Sequence, residues 1–124
     1  MTSEAPILDP TLLEELHGIG ALTPAFFDTL SASFVTTGRE SVAKIEEACR
    51  TRDHDALYRA AHLLKGCAAT FGAVRLAARA SDLEERGRFA SALPPGEALA
   101  DLAELVDAAY QRAREWASNR GLTP

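Results

Sequence analysis

Long apolar runs are missing from this 124-residue chain. None approaches the ~18 residues that a membrane-spanning helix requires. The opening "MTSEAPILDP" also lacks the basic and apolar regions of a secretory signal. Cysteine is scarce. Cys49 and Cys67 are too few for a disulfide framework and have no metal-ligand spacing. Both fall in helical patterns, where free cysteine behaves as a small hydrophobe. A cytoplasmic chain with reduced thiols and no membrane contact is expected. Basic residues are outnumbered, 13 Lys and Arg against 18 Asp and Glu, for a net charge of −5. General nucleic-acid binders are usually basic, so no nucleic acid is expected as a partner. Strand signals are absent as well, with no alternating pattern and no Asn-Gly hairpin dipeptide. The chain has no Gly-rich phosphate loop, internal repeat or low-complexity segment.

What is present is helix. Hydrophobic residues make up 47% of the chain, enough for the core of one domain spanning residues 1–124. Asp9 and Pro10 supply an N-cap and a first-turn proline for a short helix over about 10–17, stopped by Gly18 and Gly20. Thr23-Pro24 repeats the signal for a helix over about 24–50. Its apolar positions are Phe27, Leu30 and Phe34, then Val42, Ile45 and Cys49, and Gly38 is expected to bend or break it. Asp53 can cap a helix over 54–71 with Leu57, Ala60, Ala61, Leu64, Ala68 and Phe71 on one side. A further helix over 73–87 carries Leu76, Ala80 and Leu83. After the loop "ALPPGE", a helix over 97–118 places Leu99, Leu102, Val106, Ala109, Ala113 and Trp116 on one seam. That seam would also suit a coiled-coil dimer, but the other helices offer apolar faces that must be covered too. The pattern predicts an all-α, antiparallel four-helix bundle with a short N-terminal helix, as a monomer.

Charge is uneven. Between Leu57 and Arg88 six basic residues (Arg59, Lys65, Arg75, Arg79, Arg86, Arg88) face three acidic ones, a net of +3 on an acidic chain. A locally basic face would suit an acidic partner, and ordinary helix surface charge reads the same way.

The stretch "AHLLKGCAATFG" holds a glycine in mid-helix, where it costs about 1 kcal/mol relative to alanine. Leu64, Ala68 and Phe71 keep phase with Leu57 and Ala61 across it, so the helix is expected to continue through Gly66. On a wheel at about 100° per residue, His62 falls opposite the apolar face. Gly66 lies one turn on beside it, and Asp55, Tyr58, Arg59, Lys65 and Ala69 fill the same outward half. A missing side chain there leaves room for another protein to approach the imidazole. Lys65 stands near enough to neutralise an anion on His62.

These residues resemble the signature of the histidine-containing phosphotransfer (HPt) domain, His-x-(Leu/Ile/Phe)-Lys-Gly followed by small residues and a second glycine. The flanking "RDHDALYRAAH" and "AVRLAARASDLEERGR", the "ILDP" opening and the apolar helix before the motif are also similar, so the resemblance covers nearly the whole chain. It implies a phosphorelay phosphocarrier that exchanges a phosphoryl group with receiver-domain aspartates. His62 would be the phosphorylated residue, Lys65 its basic neighbour and Gly66 the clearance glycine, while Gly72 would aid the turn into the next helix. Where many members carry serine after this glycine, the chain has Cys67 and Ala68. Glu84 and Arg88 match positions that are often polar in the family. Glu84 is expected to accept a hydrogen bond from the imidazole, and Arg88 to assist the anion or the partner.

An imidazole suits the task, because its unperturbed pKa of about 6.5 leaves a nucleophilic nitrogen available near neutral pH. Phosphoryl transfer needs in-line placement and charge neutralisation, with little further work from the protein. No cofactor is expected on this chain, and the Mg²⁺ would come from the receiver partner. The implied partners are response-regulator receiver domains and a hybrid histidine kinase. No autonomous kinase activity is expected. Two other classes are weighed. A carboxylate–histidine metal bundle would use Glu14 and His17, but their spacing occurs once, in a short helix. A phosphorylation-independent helical adaptor would bind a receiver or kinase without transfer, although His62, Lys65 and Gly66 are all intact. His54 reads as a helix-start surface residue.

Overall fold

The computed structural model describes residues 5–123; Met1–Glu4 and Pro124, part of the expected 1–124 domain, lie outside them. Five α-helices follow in order: α1 Thr11–Gly18, α2 Pro24–Thr51, α3 His54–Phe71, α4 Val74–Arg88 and α5 Asp101–Ser118. A 3-10 turn, Gly96–Leu99, leads into α5. The described residues contain no strand.

Helices α2 and α3 begin where short polar side chains satisfy free backbone N–H groups, whereas α4 and α5 start at Ala73 and Ala100 without a side-chain cap. The Thr23 hydroxyl accepts from Phe26 N, with Pro24 in the first turn, and the Asp53 carboxylate accepts from Ala56 N. At α1 the N-cap position falls on Pro10 and not on the expected Asp9, whose Oδ1 still accepts from Thr11 N at 3.0 Å. Gly72 ends α3 at φ +90, the left-handed conformation that favours glycine. Its open face also receives the lead-in segment, where Asp9 N donates to Gly72 O at 2.8 Å. Arg75 extends this clasp by donating from Nε to Ala5 O.

Helices α2 to α5 form the antiparallel bundle, and α1 lies across one end. Phe34, early in α2, stacks on Phe71, late in α3, with centroids 4.2 Å apart. The core takes Phe27, Ile45, Leu57, Leu64, Leu76, Leu102 and Val106 out of water. Each such side chain contributes about 1.5–3 kcal/mol. The α5 seam read from the sequence is buried along its whole length.

A bend or a break is expected at Gly38. There is no break; α2 runs without interruption for 28 residues. Gly38 is buried, and a Cβ added to it would stand 3.2 Å from both methyl carbons of Val106 on α5. The glycine admits the neighbouring helix instead of ending its own. No helix among the described residues is long and apolar enough to cross a membrane.

Candidate functional site

The site is built from one face of α3 and the end of α4. His62 and Lys65 lie three residues apart on α3, a spacing that brings helical side chains together. Glu84 reaches both from α4. Its Oε2 lies 2.5 Å from His62 Nδ1, and its Oε1 accepts from Lys65 Nζ at 3.0 Å. The imidazole is 67% exposed and Glu84 only 13%. Lys65 holds the Glu84 carboxyl below the usual carboxylate value, the desolvation of this half-buried position opposes it, and His62 adds to the lowering. An ionised carboxylate only accepts hydrogen bonds, so Nδ1 carries the ring proton. Nε2 has no hydrogen-bond partner among the described residues, and in the neutral ring it holds the lone pair.

The helix continues through Gly66, which is exposed, and a Cβ there would meet nothing within 4 Å. His62 and Gly66 border an open groove between α2 and α3, with Leu30, Phe34 and Thr37 on the α2 side. Leu63, next to the histidine, is half exposed to solvent. Cys67 faces the same groove, its Sγ 3.8 Å from Phe34 O. Burial pushes its thiol pKa up, away from a nucleophilic thiolate.

The other residues singled out in the sequence divide. Tyr58, half-buried, stacks beside His62 with centroids 6.0 Å apart and an angle of 22°. Ala69 is exposed one turn beyond Gly66. Arg59 is on the surface of α3 but pairs with Asp55 at 2.6 Å. Arg88 sits a turn beyond Glu84 and lies over the Phe89 ring at 5.2 Å, making no hydrogen bond or ion pair with His62, Lys65 or Glu84. Most of the basic residues in the window are engaged within the chain. Arg79 binds Asp101 and Ala98 O, Arg86 binds Asp82 and Ala92 O, and Arg75 turns to the lead-in segment.

Glu14 and His17 go separate ways. Glu14 lies 3.8 Å from Arg120, and the His17 ring meets Trp116 edge-on. No group of three or more metal-ligating side chains occurs among the described residues. His54, half-buried at the start of α3, places Nε2 3.1 Å from Ser91 O and so ties down the loop after α4.

Sequence reasoning missed Gly87. A Cβ there would stand 2.6 Å from Tyr58 N and 2.8 Å from His54 O. The glycine lets α4 lie directly on the first turns of α3, which sets Glu84, three residues earlier, against His62. Its signal was present in "EERGR", but a glycine near a helix end reads first as a stop.

Comparison with known proteins adds one finding. No curated protein and no solved structure matches the chain. The family model of the Hpt domain does match, over residues 29–116, from early α2 to the end of the α5 seam. Hpt domains serve histidine phosphotransfer in phosphorelays, as phosphocarriers rather than enzymes, in interaction with response-regulator receivers and kinases. A match over most of the chain, on an all-helical bundle with a surface histidine, makes this protein a member of the Hpt domain family.

Proposed function

We propose that the chain accepts a phosphoryl group on His62 Nε2 from the aspartate of one receiver domain and passes it to the aspartate of another. The observation that carries this reading is the commitment of the Nδ1 proton to Glu84, with Nε2 left unpartnered on an exposed ring. A nucleophile needs a free lone pair and an in-line approach. Gly66 and the open groove beside it supply the approach. Lys65, three residues on along α3 and paired with Glu84, supplies a positive charge on the same face as the transferred group.

In this reading the receiver brings its own Mg²⁺ and acidic pocket, and this chain contributes the acceptor nitrogen, the lysine and the clearance. Receivers approach over the α2–α3 groove, where exposed Leu63 supplies apolar contact. Tyr58 and Ala69 border the contact, while Arg59 and Arg88 lie at its rim. A hybrid histidine kinase stands upstream, and the carrier works as a cytoplasmic monomer. A phosphorylation-independent adaptor would need the surface but not the free Nε2. The test compares receiver binding and label transfer with and without a phosphoryl donor. A carrier takes label from the phosphorylated receiver. Binding with no label on the chain under any receiver condition would favour the adaptor.

A further inference from the structure

Glu84 is placed to act on the phosphorylated ring as well as on the free one. This step rests on the phosphocarrier reading above. We infer that Glu84 keeps the Nδ1 proton on phosphorylated His62 at neutral pH, so that a neutral imidazole leaves when the phosphoryl group departs.

The chemistry follows from electron bookkeeping. On arrival, the Nε2 lone pair forms the N–P bond while the P–O bond to the receiver aspartate breaks and its electron pair returns to the carboxylate. The ring keeps Nδ1–H and becomes an imidazolium. With no anionic partner, such a ring would shed that proton over the range where imidazole titrates, about 6.5. The departing group would then be an imidazolate, a far poorer leaving group. With the proton retained, the P–N bond breaks, its pair returns to Nε2, and no proton has to move.

The geometry supplies the retention. Glu84 Oε2 lies 2.5 Å from Nδ1, and the carboxylate is 13% exposed. An opposite charge at this range favours the charged ring. Lys65 bonds the other oxygen, so the two contacts do not compete for one acceptor atom. The remaining groups around the ring leave this role to Glu84. On α3, Tyr58 stacks on the ring, Asp55 is paired to Arg59, and the Cys67 thiol is pushed up by burial. From α4, Arg88 lies a turn away over Phe89. From α2, the groove presents Ser33 and Thr37, which do not titrate. Glu84 touches neither the phosphoryl group nor the receiver, so it is a positioning residue.

The test uses the whole chain, phosphorylated chemically with phosphoramidate, with the ³¹P resonance followed from pH 5 to pH 9. In the wild type the ³¹P shift is expected to titrate at a higher pH than in Glu84→Gln, and the rate of spontaneous phosphoryl loss to stay flat up to that higher pH. In Glu84→Gln the shift is expected to titrate near 6.5, and the loss rate to fall about tenfold per pH unit above it. A wild-type resonance that titrates near 6.5 would overturn the inference without reference to any variant, as would identical profiles in the two proteins. Failure of His62 to take any label, with wild type and His62→Gln alike, would instead strike the phosphocarrier reading.

Discussion

Gly87 lies on the backbone of α3 so closely that a Cβ on it would stand 2.6 Å from Tyr58 N and 2.9 Å from Tyr58 Cα. This contact joins the fold to the site. It fixes how near α4 approaches α3, and so where Glu84 meets His62 and Lys65. Backbone atoms cannot yield as the end of a flexible side chain can. Gly87→Ala is therefore expected to destabilise the bundle by roughly 1–3 kcal/mol, although alanine is the better helix former. Urea unfolding measures the loss. The imidazole ¹⁵N shifts of His62 should move in the same variant, and unchanged shifts would separate the packing contact from the site.

Gly66 predicts the opposite behaviour from the same residue type. Its Cβ position is empty space. Gly66→Ala should raise stability by up to about 1 kcal/mol. Gly66→Gln should keep stability and slow phosphotransfer on the order of 100-fold, because a displaced partner loses in-line placement. Normal transfer rates in Gly66→Gln would defeat the clearance role.

Gly38 tests the close approach of α5 to α2. Val106 is fully buried and β-branched, so its χ1 is stiff. Gly38→Ala should lose about 1 kcal/mol, the overlap outweighing the gain in helix propensity. In combination with Val106→Ala the added methyl should cost less than it does alone. That coupling is read from a double-mutant cycle.

Glu84 gives stability a pH dependence with a defined sign. Its carboxyl pKa is lower in the folded chain than the ordinary value of 4.5 because Lys65 and then His62 favour the charged form. A lowered carboxylate pKa stabilises the fold fully above the unfolded value, and that contribution disappears as pH falls through the folded one. Glu84→Gln should therefore be less stable than the wild type at pH 7, with the difference shrinking below about pH 4.5. Thermal unfolding across pH 2.5–7 checks this.

The starts of α2 and α3 were legible in the sequence because their caps are local, whereas the helix expected from 97 begins at Asp101, after a 3-10 turn. Thr23-Pro24 and Asp53 carry their caps within three residues, and the structure shows both bonds. The outward placement of His62 and Gly66 was legible for a similar reason, since helical phase alone sets it. The roles of Gly38 and Gly87 were not legible. A glycine that ends a helix and one that admits a neighbour look alike until the neighbour is known, and Val106 and Tyr58 lie 68 and 29 positions away in sequence from their glycines. The partners of the basic window were hidden on similar grounds. Its net charge could be counted, but Asp101 and the carbonyls of Ala92 and Ala98, which engage Arg79 and Arg86, come from the loop after α4 and the start of α5. The Glu84 contact with His62 came from the family resemblance. That the same carboxylate also holds Lys65 became visible only with α4 in place.

The central claim is that His62 carries the phosphoryl group, and label transfer tests it most directly. A receiver domain phosphorylated on its aspartate is mixed with the wild-type chain or with His62→Gln, and the labelled residue is identified in the digested product. The account predicts acid-labile label on His62 in the wild type and none in His62→Gln. Label that persists in His62→Gln, or that maps to another residue of the wild type, would contradict it.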